Sequence, residues 1–172
     1  LLQAHGLEVW VPPQRASGVP EMLYGRVASA RRIAEENIRS LAPLVSEGCA
    51  VVSAEPTAVF ALKVHYPDYV PSKAASSVAN ASHDLGELLV RRREVHPGLA
   101  PAAGPIEMEN FAVGPAQMGR PPTALPRIER PLRVAYHQPC HLKAQQIGSP
   151  ALVLLAEIPN IELIDLNGGC CG

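Results

Sequence analysis

The sequence predicts an α/β fold built on mainly parallel sheets. Two observations carry that class. Short apolar runs of strand type alternate with longer stretches whose apolar residues recur every three or four positions. Proline stands at or near most of the junctions between them.

The elements follow in order. Leu7-Glu8-Val9-Trp10-Val11 alternates as a strand does, and Pro12-Pro13 ends it. A helix starts after Val19, with Pro20 in its first turn. Leu23, Val27, Ala30, Ala34, Ile38 and Leu41 form its apolar stripe, and the pattern predicts an end before Pro43. Cys49-Ala50-Val51-Val52-Ser53 reads as a buried strand. A second helix is predicted from Pro56 to Tyr66, stopped by Pro67, and a third from about Ser72 to Val95 with Val78, Leu85, Leu88 and Leu89 inward. Leu132-Arg133-Val134-Ala135-Tyr136-His137 reads as a strand, Pro139-Cys140 as a turn, Pro150 to Glu157 as a short helix and Ile161-Glu162-Leu163-Ile164 as a strand.

Three regions result. Residues 1–95 and 132–172 have folded composition. Residues 96–131 hold eight of the 18 prolines and read as an extended linker without a core of its own. The length of 172 residues admits one ordinary domain or pieces of two small ones. Apolar residues at 47% and charged residues at 18% give a globular balance. A net charge of −1 argues against a nucleic-acid-binding domain, and 4% aromatics against base-stacking platforms. No apolar run approaches the roughly 20 residues that span a bilayer.

The cysteines are Cys49, Cys140, Cys170 and Cys171. Adjacent cysteines are strained disulfide partners. No signal-peptide pattern opens the chain, so reduced thiols serving a metal or cluster are the better reading. The chain opens on Leu1 and closes on Cys170-Cys171-Gly172, which reads as an internal fragment of a longer protein.

The two ends also resemble each other. Leu1-Leu2, Leu7-Glu8-Val9 and Arg15-Ala16-Ser17-Gly18 match Leu154-Leu155, Ile161-Glu162-Leu163 and Gly169-Cys170-Cys171-Gly172. Glu8 is ten residues from Gly18, as Glu162 is from Gly172. Ala16-Ser17 stands where the later copy has Cys170-Cys171.

Cys140 follows a predicted strand, where sites gather in α/β sheets. Iron is well served by thiolates, clusters need about four, and a glycine beside a cysteine pair permits a bend. The segment Tyr136-His137-Gln138-Pro139-Cys140-His141-Leu142-Lys143, Ile147-Gly148, Leu154-Leu155, Ile158-Pro159 and Cys170-Cys171-Gly172 resembles the cysteine-rich CCG domain. That domain occurs in the iron–sulfur subunits of glycolate oxidase and anaerobic glycerol-3-phosphate dehydrogenase, in lactate-utilisation iron–sulfur proteins and in heterodisulfide reductase. Its motif is a cysteine, a long spacer, Cys-Cys-Gly, another spacer and Cys-x-x-Cys, usually present twice. Val19-Pro20, Tyr24-Gly25, Ala30-Arg31 through Asn37 and Val51-Val52-Ser53-Ala54-Glu55-Pro56-Thr57-Ala58 resemble the other copy with its cysteines gone. Residues 1–95 are thus the C-terminal part of a degenerate first repeat, and 132–172 the start of a second, truncated at Cys-Cys-Gly. The spacer from Cys140 to Cys170 is slightly short for the family.

The resemblance implies an electron-transfer module of a flavin-linked dehydrogenase acting on glycerol 3-phosphate or a 2-hydroxyacid. It implies a 4Fe-4S cluster in the intact parent, on Cys140, Cys170, Cys171 and ligands beyond Gly172. FAD would reside in a partner subunit or fused domain, and quinone or another carrier would accept the electrons. The implied location is cytoplasmic, with peripheral association at the inner membrane face left open. The alternatives are a non-redox docking domain and thiol chemistry of the heterodisulfide-reductase kind. No catalytic acid or base is expected.

Other residues have plainer readings. Cys49 reads as a core thiol. His137 and His141 flank Cys140 as backbone-satisfying residues that could also hydrogen-bond near a cluster. Lys143 and Arg91-Arg92-Arg93 read as solvated, the latter at a helix end. Glu55 reads as a helix-start residue.

Overall fold

A computed structural model describes residues 1–95 and 130–169. After a 3₁₀ turn at Gln3–His5, the chain runs through α1 (Val19–Leu23), α2 (Val27–Ser46), β1 (Val51–Ser53), α3 (Pro56–Phe60), a π-helical turn at Ala61–His65, α4 (Tyr66–Tyr69), α5 (Lys73–Asn80), β2 (Ser82–Asp84) and α6 (Leu85–Val95). It resumes with β3 (Leu132–Tyr136), α7 (Cys140–Ala144), α8 (Pro150–Ala156) and β4 (Ile161–Asp165).

The α/β class holds, and both strand pairs are parallel. β1 pairs with β2 in the register Val51↔Ser82 to Ser53↔Asp84. β3 pairs with β4 from Leu132↔Ile161 to Tyr136↔Asp165. Each pair is joined by helices, as parallel strands require.

The core sits under α2. Ala30, Ala34, Ile38 and Leu41 fall on one side of that helix and are buried. Ala34, Ile38 and Leu41 pack with Val19, Ala61, Leu62, Tyr66, Ala75 and Val78. At Gly18 the backbone is left-handed, with φ +77°, and this lets the chain turn into α1.

Several sequence expectations are corrected. Residues 7–12 belong to no strand ladder, although Leu7–Val11 alternates as a strand would. α2 runs past Pro43 to Ser46; the proline forfeits one N–H bond to the preceding turn, and the helix closes one turn later. Pro67 sits where the π-helical turn passes into α4, and the helical path continues beyond Tyr66.

The helix expected over 72–95 is two helices separated by β2. Asp84 makes that break. Its Oδ1 accepts from Gly86 N at 2.8 Å and Glu87 N at 3.3 Å, while Glu87 Oε2 accepts from Asp84 N at 3.3 Å. This reciprocal capping starts α6 afresh. The Pro139-Cys140 turn opens directly into α7, with Pro139 as its N-cap. The expected linker at 96–131 lies, as far as residue 129, outside the described residues.

Candidate functional site

The carboxyl ends of three strands meet around one cavity of about 340 Å³. Ala54 follows β1, Asp84 ends β2, Tyr136 ends β3 and His137 follows it; all four line it, with Pro139, the N-cap of α7, and Leu142 within that helix. Sites in α/β proteins gather at such ends. Burial raises the Tyr136 hydroxyl pKa above its ordinary value, and the nearby carboxylates of Asp84 and Asp165 add to the effect.

Cys140 is the first residue of α7, immediately after Pro139, and is half-buried. The loop that carries it is tied to the end of β4. Lys143 Nζ donates to the Gly168 carbonyl at 2.6 Å. Leu166 N donates to Tyr136 O at 3.0 Å. Gly168 lies against the His137 ring so closely that a Cβ there would stand 2.8 Å from Nδ1. His137 Nε2 is buried and finds no hydrogen-bond partner among the described residues. On the far side of Cys140, Gln138 Nε2 donates to Gly148 O at 2.6 Å, and Ser149 Oγ donates to Gln138 Oε1 at 3.0 Å.

The structure therefore brings Cys140, His137 and the residues leading into Cys170 to one place. Cys170 and Cys171 themselves lie outside the described residues. His141 is directed elsewhere. Its Nδ1 lies 3.1 Å from Thr57 Oγ1, and its ring sits 5.3 Å from that of Phe60, so it bonds α7 to α3. Cys49 lies at the start of the β1 segment, half-buried and far along the chain from this site.

A cluster needs about four thiolates. The described residues bring one, Cys140, beside one unpartnered buried nitrogen, His137 Nε2. Among the described residues no group of three or more His, Cys, Asp or Glu side chains converges on a metal position. These residues alone do not fit a cluster.

A charged cluster that sequence reasoning does not single out joins the two halves of the chain. Glu87 is buried on α6 and accepts from Lys63 Nζ at 3.0 Å and Arg91 at 2.8 Å. Lys63 also donates to Gln145 Oε1, just past α7, at 3.1 Å. Burial pushes the Glu87 carboxyl up, but Lys63, Arg91 and the Asp84 amide outweigh it and hold its pKa below the usual value. The π-helical turn aims Lys63 here; the signal in the sequence is the Asp84–Glu87 capping spacing. Glu55, read as a helix-start residue, caps α3 through bonds from Thr57 N at 2.9 Å and Ala58 N.

No protein-family profile matches the chain, and no solved structure does. Among curated proteins it is 29% identical over 163 residues to one subunit of the anaerobic glycerol-3-phosphate dehydrogenase of Escherichia coli, covering 92% of this chain and 34% of the relative. It is 43% identical over 42 residues to an uncharacterized iron–sulfur protein of Methanocaldococcus jannaschii, covering 24% of this chain and 9% of that protein. The chain thus spans about a third of the length of the longer-matching relative. These similarities relate the chain to iron–sulfur oxidoreductase proteins.

Proposed function

We propose that this chain is part of an electron-transfer module, and that Cys140, Cys170 and Cys171 supply thiolates to a 4Fe-4S cluster of the CCG type whose remaining ligands come from outside these residues. The observation that carries the reading is the bond from Lys143 to Gly168. It fixes the loop bearing Cys140 against the segment that enters Cys170-Cys171-Gly172. The similarity to a glycerol-3-phosphate dehydrogenase subunit supports the same reading.

Such a cluster passes single electrons. This chain's own residues position and shield. α7 and the end of β4 hold the Cys140 loop beside Gly168, and Pro139 and Leu142 line the adjoining cavity. Lys143 brings a positive charge to the loop, and His137 Nε2 is buried with no hydrogen-bond partner among the described residues. Electrons would come from FAD in a flavoprotein partner subunit that oxidises glycerol 3-phosphate or a 2-hydroxyacid. They would leave to quinone or another carrier. Among the described residues no helix is long and apolar enough to cross a membrane.

The test is iron and acid-labile sulfide per chain in the full-length protein purified without oxygen, beside a Cys170→Ser, Cys171→Ser variant. Iron and sulfide that fall by one cluster in the variant support the reading. Equal contents in both proteins overturn it and favour a docking domain without redox activity. That second reading has its own support in the first repeat, where Asn37 closes the loop at Ala16-Ser17 with hydrogen bonds.

A further inference from the structure

A second cavity, of about 540 Å³, opens beside β1. One wall is the extended segment Leu7–Pro12 and the opposite wall is Gly48–Val52. Leu41 and Leu44 of α2 and Leu88 and Arg92 of α6 line it as well, as helices cover the faces of a parallel sheet.

Both walls are prepared for pairing. Val51 N donates to Ala81 O at 2.8 Å, toward β2. Strand alternation therefore turns the N–H and C=O of Val52 to the other edge, which no strand covers among the described residues. Leu7–Val11 alternates as a strand but joins no ladder, and Trp10 and Val11 stand 68% and 73% exposed. The uncovered edge of β1 and an extended segment outside any ladder thus line the same cavity.

The internal repeat says what fills it. Leu7–Val11 corresponds to β4, and β4 has β3 beside it in parallel along its whole length. The counterpart of β3 for Leu7–Val11 falls before Leu1. We propose that the cavity is the slot for a parallel β-strand, supplied by polypeptide preceding Leu1 in the longer protein, which stands to Leu7–Val11 as β3 stands to β4. The chain covers only 34% of its longer-matching relative, so such proteins have length to supply it. The inserted strand would alternate like Leu132-Arg133-Val134-Ala135-Tyr136, with apolar residues against Leu44 and Leu88. Together with Leu7–Val11, β1 and β2 it would make one four-stranded parallel sheet. The inference is independent of any cluster.

Amide hydrogen exchange on the full-length protein tests it, with Val51 as internal reference. The Val52 amide should exchange within about tenfold of Val51, since both would lie in ladders. In the same protein with Cys49→Ser, a Val9→Cys, Val52→Cys pair should form no disulfide on oxidation. One intervening strand puts the two walls about 9–10 Å apart, beyond the roughly 7 Å Cα separation that a disulfide allows. A Val52 amide about a hundredfold faster than Val51 overturns the proposal, because the edge is then open. A disulfide between the two cysteines also overturns it, because Leu7–Val11 then closes directly on β1.

Discussion

Asn37 Nδ2 donates to the Tyr66 hydroxyl at 2.7 Å, deep under α2. The pair holds the loop at Ala16-Ser17-Gly18, the stretch whose sequence aligns with Cys170-Cys171-Gly172. Asn37 Oδ1 accepts from Arg15 N at 2.7 Å, Asn37 Nδ2 also donates to Ala16 O at 3.1 Å, and the Tyr66 hydroxyl donates to Ser17 O at 3.1 Å. Hydrogen bonds from two core side chains order this loop without cysteines. Burial raises the Tyr66 pKa above its usual value, and the bond to Asn37 offsets part of that rise, so the hydroxyl stays protonated at neutral pH.

Removing either side chain should loosen the loop. Tyr66→Phe should cost about 1 kcal/mol, the net worth of a hydrogen bond, and Asn37→Leu about 1–2 kcal/mol, because the Tyr66 hydroxyl and the loop backbone at Arg15 and Ala16 lose their bonds to Asn37. Urea denaturation of the full-length variants measures both. An Asn37→Leu protein as stable as the parent would mean that the loop is ordered by something else.

Gly18 should resist substitution more than its exposed neighbours. Its φ is +77°, and a Cβ would meet Ile33 Cγ2 at 3.3 Å. Gly18→Ala should destabilise by about 1–2 kcal/mol, mostly from the left-handed backbone. Thermal unfolding reads the loss, and a neutral Gly18→Ala would show that the turn into α1 relaxes freely.

How legible these features are depends on their length and pattern. α2 is visible in the sequence because Ala30, Ala34, Ile38 and Leu41 repeat over several turns. β2 is not, because Ser82-His83-Asp84 has three polar residues and only tertiary pairing makes it a strand. α7 looks like a turn because five residues after a proline carry no periodicity. The Leu7–Val11 alternation is strand chemistry, but a strand exists only with a partner. At the site, motif spacing singles out Cys140 and its neighbours, whereas the Lys63–Glu87–Arg91 cluster depends on a π-helical turn that no local pattern announces.

The Glu87 cluster should make stability fall in acid. Its folded pKa is depressed, so its contribution is full above the ordinary value of 4.5 and is lost as pH drops through the lower folded value. Glu87→Gln should cost about 3 kcal/mol at neutral pH, by leaving Lys63 without its anion. The variant should also show a smaller loss of melting temperature between neutral pH and pH below about 4 than the parent does. Parallel pH profiles for the two proteins would remove Glu87 from this role.

Gly168 and Gly169 should behave differently. A Cβ on Gly168 would stand 2.8 Å from His137 Nδ1, while one on Gly169 would meet nothing within 4 Å. In the full-length protein Gly168→Ala should lower iron content per chain at least severalfold, and Gly169→Ala should leave it close to the parent's. The measurement is iron per chain after identical anaerobic purification. Equal iron in both would show that contact between the β3 and β4 ends does not matter to the cluster.

The parallel pairing of β1 with β2 also orders events in time. Val51 meets Ser82 only after α3, α4 and α5 have been threaded between them. Loop closure over that distance must precede any ladder energy, so folding of this half is expected to be slow for its size. On the ribosome the first sheet cannot close until Asp84 has left the exit tunnel. Until then Val51 lacks its partner at Ala81, and nascent chains at this stage are where chaperone capture or misassociation should concentrate.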